Sequence, residues 1–235
     1  MRTRTTLRIA AVALTLLFTV TPARASTTIA PPFDEADRNF GCTGYVAAQC
    51  VARSDVTTAG AIDAFVRVES PFVFSVAPFS GSAAAWGYLS KRFTLDHEVQ
   101  ALRVSVVVDI DRLHAEGTGL LAPLSTTMSH RAAANLTASA DIDSCRCGDG
   151  EEIHVSAPVP VWEPLVGTLP TSIENERRTI VLDIRDPGDE SIQAGTGTVR
   201  ISMSVFASSN GYSLDTGHML AEGRARVASI TIEEI

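Results

Sequence analysis

Four cysteines are the residues of this sequence whose spacing most directly suggests chemistry. Cys42 and Cys50 lie eight residues apart, and Cys145 and Cys147 flank a single arginine. An even number of cysteines in an exported chain is typical of disulfides, whereas a redox-active Cys-x-Cys pair and a metal site shared with His154 are the alternatives. A bridge between residues two apart closes a small ring, so we expect two crossed disulfides that join the first pair to the second.

Carboxylates around the second cysteine pair are candidates for a calcium site. Asp141, Asp143, Asp149 and Glu151 surround the Cys-x-Cys turn. Calcium takes about six to eight oxygen ligands from loops of this kind. The run lacks the spaced Asp-x-Asp-x-Asp-Gly pattern of a helix-loop-helix calcium site, and acid-rich turns are also typical of a solvated acidic surface. Calcium is therefore the only cofactor that these residues suggest, and the solvated surface is the favoured interpretation.

Aromatic side chains could form a platform for sugar rings. Trp86 and Tyr88 are two residues apart, which places them on one face of a strand, and Trp162 lies in a proline-bounded segment, 158–164. Flat aromatic rings stack on the apolar faces of sugars. These three residues are the candidate ligand-binding set. A chain with only two tryptophans usually buries them, and for Trp86 the sequence slightly favours burial in the core.

No familiar catalytic motif occurs in the sequence. The segment 211–215 fails the Gly-x-Ser-x-Gly pattern at its last position, and His-Glu-x-x-His is absent. The five histidines are scattered without metal-ligand spacing. A pair of carboxylates for glycoside hydrolysis could still come from distant strands. We therefore expect a protein that is not an enzyme, with an extracellular hydrolase as the third-ranked class.

The elements that position these residues are predicted to be strands. Apolar and polar residues alternate with period two in most of the chain after residue 60, as in half-buried strands of antiparallel sheets. The predicted strands cover residues 62–69, 84–95, 102–111, 132–143, 179–185, 198–205 and 223–233. In the last of these the apolar phase shifts after Val227, which indicates a β-bulge. Turn-forming residues occupy 78–81, 116–119, 186–189 and 210–211.

These patterns predict an all-β fold. We expect an antiparallel β-sandwich, jelly-roll or immunoglobulin-like, over residues 61–235, because two apolar sheet faces must cover each other. Residues 26–60 lack alternation and are expected to form an irregular lead-in, with room for a short helix at 34–40, tied down by a disulfide.

The first 25 residues have the features of a signal peptide. Arginines precede an apolar run that ends in Ala23-Arg24-Ala25, so we expect cleavage before Ser26 and a secreted, extracellular protein that is free of the membrane after cleavage. Loss of four arginines and no acid would change the formal net charge from −8 to −12. Such an acidic chain is not expected to bind nucleic acid.

The leading functional hypothesis is a secreted, non-catalytic module that binds carbohydrate or another extracellular surface. The alternative is a structural, adhesion or coat-type interaction protein without a small-molecule site. Architecture alone does not decide between them.

Overall fold

A computed structural model describes residues 26–45, 48–70, 78–120, 129–159, 168–188, 190–212 and 216–235. The described residues form eleven strands: β1 Ser26–Ile29, β2 Glu35–Tyr45, β3 Gln49–Val56, β4 Ala61–Ser70, β5 Pro78–Leu95, β6 Ala101–Leu120, β7 Ser129–Ile142, β8 Cys147–Val159, β9 Thr168–Arg185, β10 Gly195–Tyr212 and β11 Thr216–Glu234. No helix that could span a membrane occurs in this part of the chain.

The strands form two antiparallel sheets that pack face to face. Sheet A has the order β3-β4-β11-β6-β9, and β1 pairs with the part of β11 that lies beyond the end of β4. Sheet B has the order β2-β5-β10-β7-β8. Strands β4 to β11 alone give the four-strand orders β4-β11-β6-β9 and β5-β10-β7-β8, which is the arrangement of a jelly roll. The β-sandwich expected from the sequence is confirmed, and its topology is the jelly-roll alternative.

The core consists of the apolar residues that alternate along these strands. Leu102, Val104 and Val106 on β6 and Leu136 on β7 belong to this core, and all four are fully buried. Each buried Leu, Ile or Val contributes about 1.5–3 kcal/mol through removal of its surface from water. The seven predicted strands are present, and the predicted bulge is a register shift between Val227 and Ser229 on β11.

Residues 26–60 do not form the irregular lead-in expected from the sequence. They contain β1, β2 and β3, and the segment 35–40 is part of a strand rather than a helix. β2 and β3 are edge strands, and both faces of each are partly exposed to solvent. Alternation of apolar and polar residues is therefore not required in them. β8 likewise lies at an edge and was not predicted.

Three predicted turns lie within strands instead. Residues 78–81, 116–119 and 210–211 belong to β5, β6 and β10. Neighbouring strands pair with these stretches, so their glycines continue a ladder rather than end it. The fourth predicted turn is confirmed at 186–188, where the amide of Gly188 donates to Oδ1 of Asp186 over 2.7 Å.

Candidate functional site

The outer face of sheet B carries two of the three aromatic candidates. Alternation along β5 places Ala85 and Leu89 in the core and turns Trp86 and Tyr88 outward. Trp86 is 38% exposed and Tyr88 is half-buried. The burial favoured for Trp86 from the sequence is therefore wrong. Trp162 lies outside the described residues.

The two rings form one aromatic unit. Their centroids are 5.9 Å apart, and their planes differ by 17°. Residues at i and i+2 on a strand share a face, and this spacing allows the rings to stack against each other. The pair is therefore a partly exposed aromatic unit on the outer face of sheet B.

Hydroxyl and amide groups flank the rings on the neighbouring strands. Asn39 on β2 and Ser204 on β10 lie directly opposite Trp86, and Ser202 lies opposite Tyr88. Residues in such cross-strand pairs share one face of the sheet. These groups can donate and accept hydrogen bonds beside an aromatic surface, which is the combination that polyhydroxylated ligands require.

The row through Trp86 crosses the whole sheet. It continues from Ser204 to Asn135 on β7 and to His154 on β8. Nδ1 of His154 lies 2.5 Å from Oδ1 of Asn135, so these two polar groups orient each other at the far edge. With a strand spacing of about 4.8 Å, the row is roughly 19 Å long.

A shallow depression opens beside Trp86. It has a volume of about 170 Å³ and is lined by Asn39, Phe40, Gly41, Ala84 and Trp86. The space above the Cα of Gly41 is open, with no atom within 4 Å of the position a Cβ would take. Small residues at Gly41 and Ala84 thus leave one side of the indole accessible.

Two arginines lie against aromatic rings on this same face. The guanidinium carbon of Arg200 is 5.9 Å from the ring centre of Tyr88, and that of Arg131 is 5.8 Å from the ring centre of Phe206. Both arginines are exposed. Contacts at these distances fall in the range of cation–π interactions.

The outer face of sheet A has a different chemistry. Its charged side chains form cross-strand ion pairs, such as Arg103 with Asp183 at 2.7 Å and Arg177 with Asp109 at 2.5 Å. The hydrogen bond from Arg103 lowers the pKa of Asp183, and Arg177 acts in the same way on the pKa of Asp109. These charges already have partners, whereas the central strands of the sheet B face carry rings, hydroxyls and the two arginines Arg131 and Arg200.

Comparison with solved structures yields β-sandwich proteins of low similarity. A carbohydrate-binding module, TmCBM61, in complex with β-1,4-galactotriose has 15% identity and a TM-score of 0.21, over 80% of this chain and 88% of the module. The family 11 carbohydrate-binding module from Clostridium thermocellum, in complex with a β-1,3-1,4-mixed-linked tetrasaccharide, has 9% identity and a TM-score of 0.20, over 88% of this chain and 97% of that one.

The enzymatically active domain of tailspike protein 4 from bacteriophage CBA120 is also similar. It has 12% identity and a TM-score of 0.21, and the match covers 74% of this chain and 19% of the tailspike chain. No protein-family model and no curated protein matches the sequence. These TM-scores are low, and the similarities carry no conclusion about function.

Each disulfide joins two cysteines that are close together in the sequence. Disulfides join Cys42 to Cys50 and Cys145 to Cys147, with Cα–Cα distances of 5.9 Å and 5.1 Å. The crossed pairing expected from the sequence is therefore wrong. Arg146, with a φ of 52°, turns the chain back between its two neighbours and brings them within bonding distance.

The position of the cysteines in sheet B explains why crossing is excluded. Cys42 lies on one edge strand in register with Ala207 of β10, whereas Cys147 lies on the opposite edge strand in register with Gly197. Ten residues along β10 separate these registers by about 33 Å, far beyond the Cα–Cα span of a disulfide.

The four calcium candidates do not converge. Asp141 lies opposite Gly148, on the outer face of sheet B, while Asp149 and Glu151 lie opposite inward-facing alanines of β7. Oδ2 of Asp149 instead accepts from the backbone amide of Asp183, over 3.0 Å. Among the described residues no three His, Cys, Asp or Glu side chains are placed to hold a metal ion. The calcium site stays a prediction without a preformed set of ligands.

Sequence reasoning missed most polar members of the sheet B face. Asn39, Asn135 and Ser204 are separated from one another by 69 to 165 residues in the chain, yet they share one row with Trp86. Alternation predicts that Asn135 and Ser204 point outward, but not which strands are neighbours, and Asn39 lies in a stretch without alternation. The register between strands is the information that the sequence lacked.

Proposed function

We propose that the protein is a secreted, non-catalytic β-sandwich that binds carbohydrate on the outer face of sheet B. The exposed, stacked pair of Trp86 and Tyr88 is the observation that carries this proposal. An indole that is open on one side can stack on the apolar face of a sugar ring, while Asn39 and Ser204 hydrogen-bond to the sugar hydroxyls.

The surroundings of the rings support binding rather than burial against a protein core. A depression of about 170 Å³ next to Trp86 can admit the edge of one ring of a glycan. Amide and hydroxyl groups next to the aromatics supply directional contacts, and the carboxylate of Asp37, opposite Tyr88 on β2, adds a hydrogen-bond acceptor. Two disulfides are typical of extracellular proteins, which agrees with export of the chain.

Retention on insoluble polysaccharides and affinity electrophoresis in soluble ones test the proposal. We expect Trp86→Ala to abolish binding, because the stacking surface is lost. Gly41→Leu should weaken binding as well, because its Cβ would enter open space and the rest of the side chain would cover the accessible side of the indole. The thermal unfolding midpoints of both variants should lie within a few degrees of the midpoint of the unmodified protein.

A matched control lies on the other sheet. Phe65 is an aromatic residue on the outer face of sheet A, with the guanidinium of Arg53 4.6 Å from its ring centre. Phe65→Ala should leave binding unchanged. If the unmodified protein binds no polysaccharide in a broad panel, the structural or adhesion alternative replaces this proposal.

A further inference from the structure

We propose that the glycan recognised by this face is acidic and carries carboxylates, as polyuronates do. This inference rests on the carbohydrate-binding function proposed above and specifies its ligand. Its basis is the arrangement of aromatic rings and arginines along the two central strands of sheet B.

Three aromatic rings follow one another on β5 and β10. Tyr88 is in register with Ser202, Trp86 is in register with Ser204, and Phe206 lies two residues further along β10. The three rings therefore occupy consecutive outward positions and span about 13 Å along the strands. An extended chain of sugars would lie along this strip.

An arginine stands at each end of the strip. Arg200 lies against Tyr88 at one end, and Arg131 lies against Phe206 at the other. Stacking on a ring holds the guanidinium plane near the aromatic surface, and its N–H groups can still donate to a ligand. The two cations are thus placed to contact substituents of a glycan that rests on the rings.

These two arginines are without acidic partners among the described residues, unlike four arginines of sheet A. Every ion pair of Arg103, Arg112, Arg177 and Arg224 joins it to a carboxylate of sheet A. None of the ion pairs formed within the described part of the chain includes Arg131 or Arg200.

The acids of the sheet B face lie outside the strip of rings itself. Asp37 is opposite Tyr88 and Glu35 is nearby on the edge strand β2, Glu152 is on the opposite edge strand β8, and Asp141 is on β7 in register with Thr198, beyond the Arg200 end of the strip. The central strip therefore carries positive charge on a chain whose net charge is negative. A guanidinium binds a carboxylate through two parallel hydrogen bonds, which makes a uronate carboxylate the matching group.

A comparison of charged and uncharged forms of the same polymers tests the inference. The probes are polygalacturonate, alginate and hyaluronate, each measured beside a sample whose carboxyl groups have been reduced to alcohols. We expect the unmodified protein to bind at least one acidic polymer about tenfold more tightly than its reduced form. A tenfold ratio of dissociation constants corresponds to roughly one charge-assisted hydrogen bond. This preference should fall as salt rises.

Variants separate the acid preference from glycan binding itself. Arg200→Gln and Arg131→Gln should each lose most of the preference and keep the affinity for the reduced polymer. Arg53→Gln removes an arginine that lies on an aromatic ring of sheet A, so it should retain the full preference. Trp86→Ala should lose binding to both forms.

Two results would overturn the inference, and they differ in what they leave standing. If the protein binds acidic and reduced polymers equally well, and Trp86→Ala abolishes both, the acidic ligand is refuted and the carbohydrate-binding function is retained. Absence of binding to acidic, reduced and neutral polysaccharides alike would refute both.

Discussion

The ring of Phe93 occupies the space where a side chain of Gly197 would lie. The two residues are directly paired between β5 and β10, and both are buried. A Cβ at Gly197 would overlap three atoms of the ring. Phe93 can therefore cover the backbone of β10 only because its partner is a glycine.

Gly197→Ala is expected to destabilise the protein by about 1–3 kcal/mol, because overpacking forces the Phe93 ring out of its position. Urea unfolding measures the loss. Gly41→Ala is the matched control on the same sheet, since its Cβ would enter open space. Equal stabilities of the two variants would contradict the close packing described for Phe93.

Replacement of Trp86 and of Leu89 should have opposite consequences. Trp86 points to solvent and Leu89 is fully buried three residues later on β5. Leu89→Ala is expected to cost about 2–5 kcal/mol through the cavity it leaves, whereas Trp86→Ala should change the free energy of unfolding far less. Thermal and urea unfolding of the two variants provide the comparison, and a strongly destabilised Trp86→Ala would place that side chain in the core.

Disulfide connectivity can be read directly by mass spectrometry of non-reduced peptides. We expect one peptide pair joined through Cys42 and Cys50, and an intact Cys145–Cys147 bridge within a single peptide. A crosslink between a cysteine of one pair and a cysteine of the other would refute this pairing. Replacement of Cys42 and Cys50 together by serine should cost about 2–3 kcal/mol, because the denatured chain regains the freedom of a short loop.

His97 is expected to make the stability of the C-terminal strand dependent on pH. Its Nδ1 lies 2.5 Å from Asp96 and its Nε2 lies 3.0 Å from Glu234 of β11. The hydrogen bond to Asp96 raises the pKa of His97 above the ordinary value of 6.5, and Glu234 acts in the same direction. The stabilisation is therefore fully present below pH 6.5 and is lost as pH rises through the raised pKa of the folded protein.

His97→Gln should accordingly destabilise the protein more at about pH 5 than at about pH 9. These two pH values lie below and above the range in which histidine side chains titrate. Urea unfolding of both proteins at the two pH values measures the difference. Glu234→Gln should lower the pKa of His97 in an NMR titration. A destabilisation by His97→Gln that is independent of pH would show that the ion pairs do not contribute.

Export should leave a chain that begins at Ser26. Ser26 to Ile29 pair with Glu233 to Ile230 as β1 and β11, so cleavage before Ser26 would keep these four pairs. The intact mass of protein recovered from culture medium tests this prediction. Protein that keeps residues 1–25 and stays in the membrane fraction would contradict it.

Part of the candidate site could be read from the sequence. The two-residue spacing of Trp86 and Tyr88 already placed them on one face of a strand. It could not say which face the rings occupy, because Ala85 and Leu89, which flank the pair on the other face, are apolar as well. Only the second sheet, packed against Ala85 and Leu89, turns the aromatic face outward.

The sequence by itself determined the all-β class and the inward residues of the central strands. Alternation with period two leaves one face apolar, and water drives that face into a core whatever its partner is. The same reasoning located the bulge after Val227, because an extra residue must shift the alternation.

Tertiary structure alone decided the strand order, the edge strands β2 and β3, and the disulfide pairing. β2 and β3 lie at sheet edges, where alternation is not required, so local sequence does not reveal them. The edge strand β8 does alternate, with Ile153, Val155 and Ala157 buried, and sequence reasoning missed that signal. Cys42 and Cys147 are separated by the width and much of the length of sheet B, a distance that only the order and register of five strands define. The row that joins Asn39, Trp86 and Asn135 exists for the same reason, because cross-strand register depends on pairing between residues far apart in the chain.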